Sequence, residues 1–217
     1  MKKYIVEFIG TFFLVLCIGL VVIEGELGAL APLPIGAMLM VVIYAGGHIS
    51  GAHYNPAVTL AVWMRGKCPK SDVLPYMFFQ IAGAALAAMV VSYLKGSSMP
   101  ETALTRDDVP RALIAEFLGT FLLAYVVLNV ATSKNTAGNS FYGLAIGFTV
   151  LTCAFALGSY SGGAFNPAVA IVVCIMKLSS WVDLWIFIVA CFGGAALAAV
   201  VYNWLNPDEV ILIKDKN

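Results

Sequence analysis

Ser50-Gly51-Ala52-His53-Tyr54-Asn55-Pro56-Ala57-Val58 and, 111 residues later, Ser161-Gly162-Gly163-Ala164-Phe165-Asn166-Pro167-Ala168-Val169 are two versions of one local instruction. A glycine-containing turn leads into Asn-Pro-Ala and then into an apolar segment. Asn at the N-cap and Pro at the first helical position start a helix. The Asn side chain accepts from the first backbone N–H groups, and the N–H that proline lacks has no intrahelical partner there. One such start is ordinary. Two in the same register, each following a hydrophobic run, require an explanation from the whole chain.

The composition around them is that of a membrane protein. Of 217 residues, 61% are hydrophobic and 11% charged, against about 25% charged in a soluble domain; mean hydropathy is +0.93. The formal net charge of zero argues against a nucleic-acid surface. Five cysteines (Cys17, Cys68, Cys153, Cys174, Cys191) show no paired spacing and read as small hydrophobes rather than a disulfide or metal framework.

Spans of about 20 apolar residues cross a hydrocarbon core of about 30 Å. Six are read, at about 4–23, 33–48, 74–94, 111–130, 141–158 and 181–204. The first begins like a leader peptide, but it carries Glu7 and runs on to Ile23, long enough to span. With the N-terminus inside, Lys2, Lys3, Arg65, Lys67, Lys70, Lys134, Lys214 and Lys216 fall in the cytoplasm, and Lys95, Arg106, Arg111 and Lys177 fall outside. The excess of positive charge favours both termini in the cytoplasm, in a multi-pass protein of the plasma (inner) membrane.

The chain is an internal duplication. Glu7-Phe8-Ile9-Gly10-Thr11-Phe12 recurs as Glu116-Phe117-Leu118-Gly119-Thr120-Phe121, Ile35-Gly36 as Ile146-Gly147, and Gly83-Ala84-Ala85-Leu86-Ala87-Ala88 as Gly194-Ala195-Ala196-Leu197-Ala198-Ala199. The whole chain, 1–217, is read as one transmembrane domain made of two repeats, about 1–96 and 110–206, joined by an extracellular loop. Each repeat has an odd number of spans, so the second enters from the opposite side and the halves are inverted. The expected fold is an all-α membrane protein with six transmembrane helices and two re-entrant half-helices in an inverted 3+3 repeat. Each half-helix, from Asn55 to about Trp63 and from Asn166 to about Met176, is roughly 15 Å long. Together they make one composite span that meets at the midplane.

Non-helical backbone inside a bilayer is tolerated only when packed in protein or facing water. A row of free carbonyls, with Asn55 and Asn166 amides at the meeting point, offers a passing solute acceptors and donors in place of bulk water. Each half-helix N-terminus carries about +0.5 charge. A cation about 4 Å from one end, at an effective dielectric near 20, meets a cost of about 2 kcal/mol. Glu7 and Glu116 are ionisable groups inside spans, read as bracing the loop N–H groups. His48 and His53 flank the first loop without a carboxylate or cysteine at ligand spacing, and His48 is assigned to loop bracing as well. No nucleophile–base pair, metal cluster or phosphate loop is present in the sequence, so no enzyme, metal or cofactor is expected.

Paired motifs within a six-span repeat are specific, and the chain resembles the aquaporin (major intrinsic protein) family along essentially its whole length. The resemblance carries on the duplicated Glu-x-x-Gly-Thr spans, on Gly47 to Ala57 and on the second Asn-Pro-Ala. It implies a pore in every protomer, with Asn55, Pro56, Ala57, Asn166, Pro167 and Ala168 at its centre, and a homotetramer in the lipid. The outer constriction departs from the family pattern. Where water-selective members have Arg, His and an aromatic, this chain has Val169, Ala154 and Ile35, with Gly163 as the fourth position. A wide, apolar outer mouth follows, passing water and small neutral solutes such as glycerol, urea, ammonia or metalloid hydroxides. Two alternatives stand beside this reading: an ion-conducting channel, because the arginine is missing, and a closed-pore structural protein.

Overall fold

The computed structural model describes residues 1–23, 27–96 and 104–209. Lys214 and Lys216 of the charge count, and residues 24–26 and 97–103 of two connections, lie outside the described residues. Among the described residues, eight α-helices follow in order: α1 (Lys2–Val22), α2 (Pro32–Ser50), α3 (Pro56–Met64), α4 (Lys70–Lys95), α5 (Val109–Val127), α6 (Tyr142–Ser161), α7 (Pro167–Ile175) and α8 (Leu184–Leu205). No strand occurs among the described residues. Among the described residues, six helices are long and apolar enough to cross a membrane. The other two, α3 and α7, have nine residues each, about 14 Å, which is half the hydrocarbon thickness.

The helix limits differ from the hydropathy limits for identifiable reasons. α4 starts at Lys70, a turn before the apolar run, because its polar first turn is satisfied from outside the helix. Lys3 Nζ donates to Asp72 Oδ2 at 2.5 Å and Tyr4 Oη to Asp72 Oδ1 at 2.7 Å. α2 and α6 run past the last hydrophobic residue to Ser50 and Ser161, where Gly51 (φ 85°) and Gly162 (φ 91°) stop them in the left-handed conformation that glycine adopts without a Cβ clash.

Packing repeats the duplication. α1 lies along α4 as α5 lies along α8, while α2 and α6, equivalent to each other, pack together. Small residues make these approaches possible. Gly83 sits against the Phe8 carbonyl and Gly194 against the Phe117 carbonyl, and Gly36 and Gly147 each face the other's backbone oxygen. Ala84, Ala87, Ala88, Ala195, Ala198 and Ala199 are fully buried, whereas Leu74, Phe78, Met89, Tyr93 and Trp204 are exposed. This is small-in, large-out packing. Lipid accepts large apolar side chains at no cost, so helix association rests on close backbone contact.

A polar cluster lies at the C-terminal end of α3. The Arg65 guanidinium, 1% exposed, donates from Nη2 to Glu209 Oε2 at 2.9 Å and from Nη1 to the Glu209 carbonyl at 2.6 Å, and lies 4.8 Å over the Tyr202 ring. Ser133 Oγ and the Lys134 N–H also donate to the Glu209 carboxylate, at 2.9 and 3.0 Å. The chain after α8 is thereby tied to the end of α3 and to the α5–α6 connection. The Lys134 N–H, the Ser133 and Tyr202 hydroxyls and the Arg65 charge hold the Glu209 carboxyl below its usual range. Nearby, burial pushes the Cys68 thiol up to about 11, which leaves it unreactive as a thiolate.

A folded-state pKa below the unfolded value contributes stability that is complete above the ordinary carboxylate pKa of about 4.3 and is lost as pH falls through the folded value. Wild type should therefore unfold at a higher temperature than Glu209→Gln in detergent at about pH 7, and that margin should shrink below about pH 4. A margin independent of pH would exclude the ionised carboxylate as its source.

Candidate functional site

Both turns that precede the half-helices hold residues in the left-handed region. In the first they are Ala52 (φ 52°) and Tyr54 (φ 49°); in the second, Gly163 (φ 67°) and Phe165 (φ 46°). For non-glycine residues this costs of order 1 kcal/mol each and persists only when the surroundings over-determine it. Here the surroundings include a carboxylate. Glu7 Oε1 accepts from the His53 N–H at 3.0 Å and Oε2 from the Tyr54 N–H at 2.7 Å. Glu116 accepts from the Ala164 N–H at 2.9 Å, the Phe165 N–H at 2.7 Å and Ser161 Oγ at 2.6 Å. Each carboxylate is fully buried and takes two successive N–H groups, which the left-handed backbone turns to one side. The same geometry turns the carbonyls elsewhere. Among the described residues, the carbonyls of Ala52 and His53 and those of Gly162, Gly163 and Ala164 receive no hydrogen bond.

The two rings fill the space that small residues leave. Tyr54 packs on Gly10 and Gly46, and Phe165 on Gly119; the Tyr54 hydroxyl donates to the Val42 carbonyl at 3.0 Å.

The half-helices begin where the turns end. Asn55 Oδ1 accepts from the Ala57 and Val58 N–H groups at 2.8 and 3.4 Å, and Asn166 Oδ1 accepts from the Ala168 N–H at 2.9 Å. Pro56 and Pro167 occupy the first helical positions. The two caps then exchange bonds: Asn55 Nδ2 donates to the Phe165 carbonyl at 2.8 Å, and Asn166 Nδ2 donates to the Tyr54 carbonyl at 2.9 Å. The tips of α3 and α7 therefore meet. A primary amide has two N–H groups, so each asparagine keeps one beyond the bond it makes to the opposite loop.

Beside this junction lies a cavity of about 450 Å³, lined by both asparagines, by residues 52–54 and 161–166, and by Ile35, Ala154, Gly163 and Val169. The four positions read as the outer constriction thus share one cavity wall although they come from α2, α6, the second turn and α7.

His48 is not where the bracing reading put it. It is exposed, and among the described residues no hydrogen bond joins it to either loop. His53 takes that role instead, with Nδ1 3.1 Å from Thr59 Oγ1. Gln80, unremarked in the sequence, is central. Its Nε2 donates to Glu7 Oε2 at 2.7 Å and to Thr59 Oγ1 at 3.0 Å. An amide in the middle of an apolar span was the available signal. The equivalent residue of the second repeat is Cys191, whose thiol lies 3.6 Å from Glu116 Oε2.

A family model described as Major intrinsic protein matches residues 1–202. The chain is 38% identical over 215 residues to "Aquaporin NIP1-3" of Oryza sativa subsp. japonica, covering 94% of this chain and 74% of that one. It is also 38% identical over 218 residues to "Glycerol uptake facilitator protein-like 6" of Lactiplantibacillus plantarum, covering 96% and 100%. Its fold is similar to the X-ray structure of the aquaglyceroporin from Plasmodium falciparum, with a TM-score of 0.80 at 21% identity over 96% of this chain and 98% of that one.

Replacing Glu7 by Leu strands two buried N–H groups and the Gln80 amide, at about 1–3 kcal/mol for each unsatisfied group. The expected outcome is a large fall in thermal unfolding temperature, with Glu7→Gln intermediate because it keeps one acceptor oxygen. A Glu7→Leu protein as stable as wild type would contradict the bracing geometry.

Proposed function

The chain belongs to the major intrinsic protein family, and from that premise we propose that Ile35, Ala154, Gly163 and Val169 set which solutes enter its pore. The protein is a multi-pass integral membrane channel, passive and not enzymatic, for water and small uncharged solutes. The ion-conducting alternative has no support among relatives named as aquaporins and glycerol facilitators.

The observation that carries the pore assignment is the reciprocal bond between Asn55 and the Phe165 carbonyl and between Asn166 and the Tyr54 carbonyl, beside a cavity that holds all four constriction residues. A solute at that junction meets one spare N–H from each asparagine and a row of carbonyls without protein donors. It can exchange its water hydrogen bonds for these at little net cost. Pro56, Ala57, Pro167 and Ala168 keep the two tips rigid, and Glu7 and Glu116 hold the loops.

The finer proposals are these. The solutes include glycerol, urea, ammonia or metalloid hydroxides, a range supported by the small, uncharged constriction. The repeats about 1–96 and 110–206 are joined by an extracellular loop. Both termini face the cytoplasm in the plasma membrane, a reading supported by the excess of Lys and Arg in the connections assigned to that side. The protomers assemble as a homotetramer in the lipid, each with its own pore.

Stopped-flow light scattering on proteoliposomes tests the constriction. Wild type should show protein-dependent permeability to water and to urea or glycerol. Val169→Arg should lower urea and glycerol permeability by roughly tenfold, about 1.4 kcal/mol of added barrier, and lower water permeability less. Equal loss for all solutes would place the selective step elsewhere.

A further inference from the structure

Resting on that channel reading, we propose that Glu209, beyond the last span, is a positioning residue for the pore: paired with Arg65, it fixes α3 along its axis and so fixes where Asn55 meets the opposite half-helix. α3 is a rod of nine residues, about 14 Å long, with Asn55 before it and Arg65 after it. Its directional contacts with other elements are confined, among the described residues, to its two ends. At the pore end Asn55 Nδ2 donates to the Phe165 carbonyl at 2.8 Å, and Thr59 Oγ1 accepts from Gln80 Nε2 at 3.0 Å. At the far end the Met64 carbonyl accepts from Asn203 Nδ2 at 3.2 Å, and the Arg65 guanidinium reaches both the carboxylate and the carbonyl of Glu209. Between them, Leu60, Ala61 and Val62 carry apolar side chains, whose contact is non-directional.

The second half-helix is held in another way, so the clamp belongs to α3. Met176 stands at the position equivalent to Arg65. α7 is closed by the turn that follows it, with the Leu178 N–H donating to the Val173 carbonyl at 2.8 Å. No ion pair among the described residues holds that end. At α3, Glu209 is the one acid paired with Arg65 among the described residues. Without that carboxylate the guanidinium would be buried and uncompensated, which is costly. Relief lies in water, which is close by because Lys67 and Asp208 are exposed. The Arg65 N–H is bonded to the Ala61 carbonyl at 2.9 Å. A guanidinium drawn to solvent therefore takes the last turn of α3 with it and shifts Asn55 against Phe165. A solute that needs both asparagine N–H groups in register loses more by that shift than water, which uses one at a time.

The test is the protein-dependent permeability of proteoliposomes to glycerol and to water, read as a ratio, which does not depend on how many channels have folded. Glu209→Gln removes the charge and keeps an acceptor for Ser133. It should lower the glycerol-to-water ratio about threefold, a loosening worth part of one hydrogen bond. Arg65→Lys keeps the charge without the planar fork and should lower the ratio about twofold. The double substitution Arg65→Met and Glu209→Gln buries no charge and should restore the ratio. Hydrogen exchange reads the link without flux: in Glu209→Gln the Ala57 and Val58 amides, bonded to Asn55, should exchange about threefold faster relative to the Ala168 amide. A ratio unchanged in Glu209→Gln, or in Arg65→Lys where Glu209→Gln does not fold, leaves the pair a stabilising one and overturns this inference. So does a low ratio that the double substitution fails to restore, or exchange that rises equally at Ala57 and Ala168. Wild-type vesicles that pass neither solute sink the channel reading instead.

Discussion

Two buried carboxylates make this pore possible. A chain that leaves helical conformation inside a bilayer exposes N–H and C=O groups to hydrocarbon, and each unsatisfied group costs several kcal/mol. Glu7 and Glu116 accept the N–H groups of residues 53–54 and 164–165, so the donors are satisfied from within the protein. The acceptors of the same turns are left to the cavity side. Had side-chain donors bound the carbonyls as well, the loops would be equally stable and the passage would have no polar lining. The left-handed residues 52, 54, 163 and 165 follow from this division, since they send donors one way and acceptors the other.

The two repeats perform that division with different chemistry. Around the first loop the support is a polar network: Gln80 bridges Glu7 and Thr59, Thr59 Oγ1 donates to the Asn55 carbonyl at 3.1 Å, and the Tyr76 hydroxyl donates to the Ser50 carbonyl at 2.8 Å. The threonine has one proton, which goes to Asn55, so it accepts from Gln80 and from a protonated His53 Nδ1. In the second repeat Ala164, Ala170, Phe187 and Cys191 stand at the positions of His53, Thr59, Tyr76 and Gln80. The support there shrinks to Ser161 and a cysteine thiol. Symmetry of backbone is kept while polarity is concentrated in the first repeat, and the cavity touches both loops.

Much of this was legible in the residues. Two Asn-Pro-Ala turns, an odd number of spans per repeat and a thickness of about 30 Å suffice for six long helices and two half-helices. Ile35, Ala154, Gly163 and Val169 were placed by motif spacing and do line one cavity. What escaped was side-chain direction. His48 and His53 both flank the first loop in sequence, but only His53 turns towards Thr59. Gln80 sits on an apolar span whose hydropathy hides it. The Arg65–Glu209 cluster joins residues 144 apart that share no motif. Periodicity gives faces and spacing gives turns, but neither tells which of two neighbouring polar groups meets a distant partner.

The missing arginine at the outer mouth changes what is excluded less than a charge count suggests. A full positive charge at about 4 Å, at an effective dielectric near 20, would repel a cation by about 4 kcal/mol, so its loss looks like an opening for ions. Yet an ion must first leave water, at an effective cost of several kcal/mol even after relaxation, and recover that from oxygen ligands around it. Hard cations take six or more. The cavity supplies a few carbonyls and two asparagine amides within a mostly apolar lining, so most of the hydration shell would go unreplaced. The half-helix tips, each with about half a positive charge, face the same junction. An apolar wall therefore does to ions by desolvation what a guanidinium does by repulsion. It differs in leaving neutral solutes free to enter.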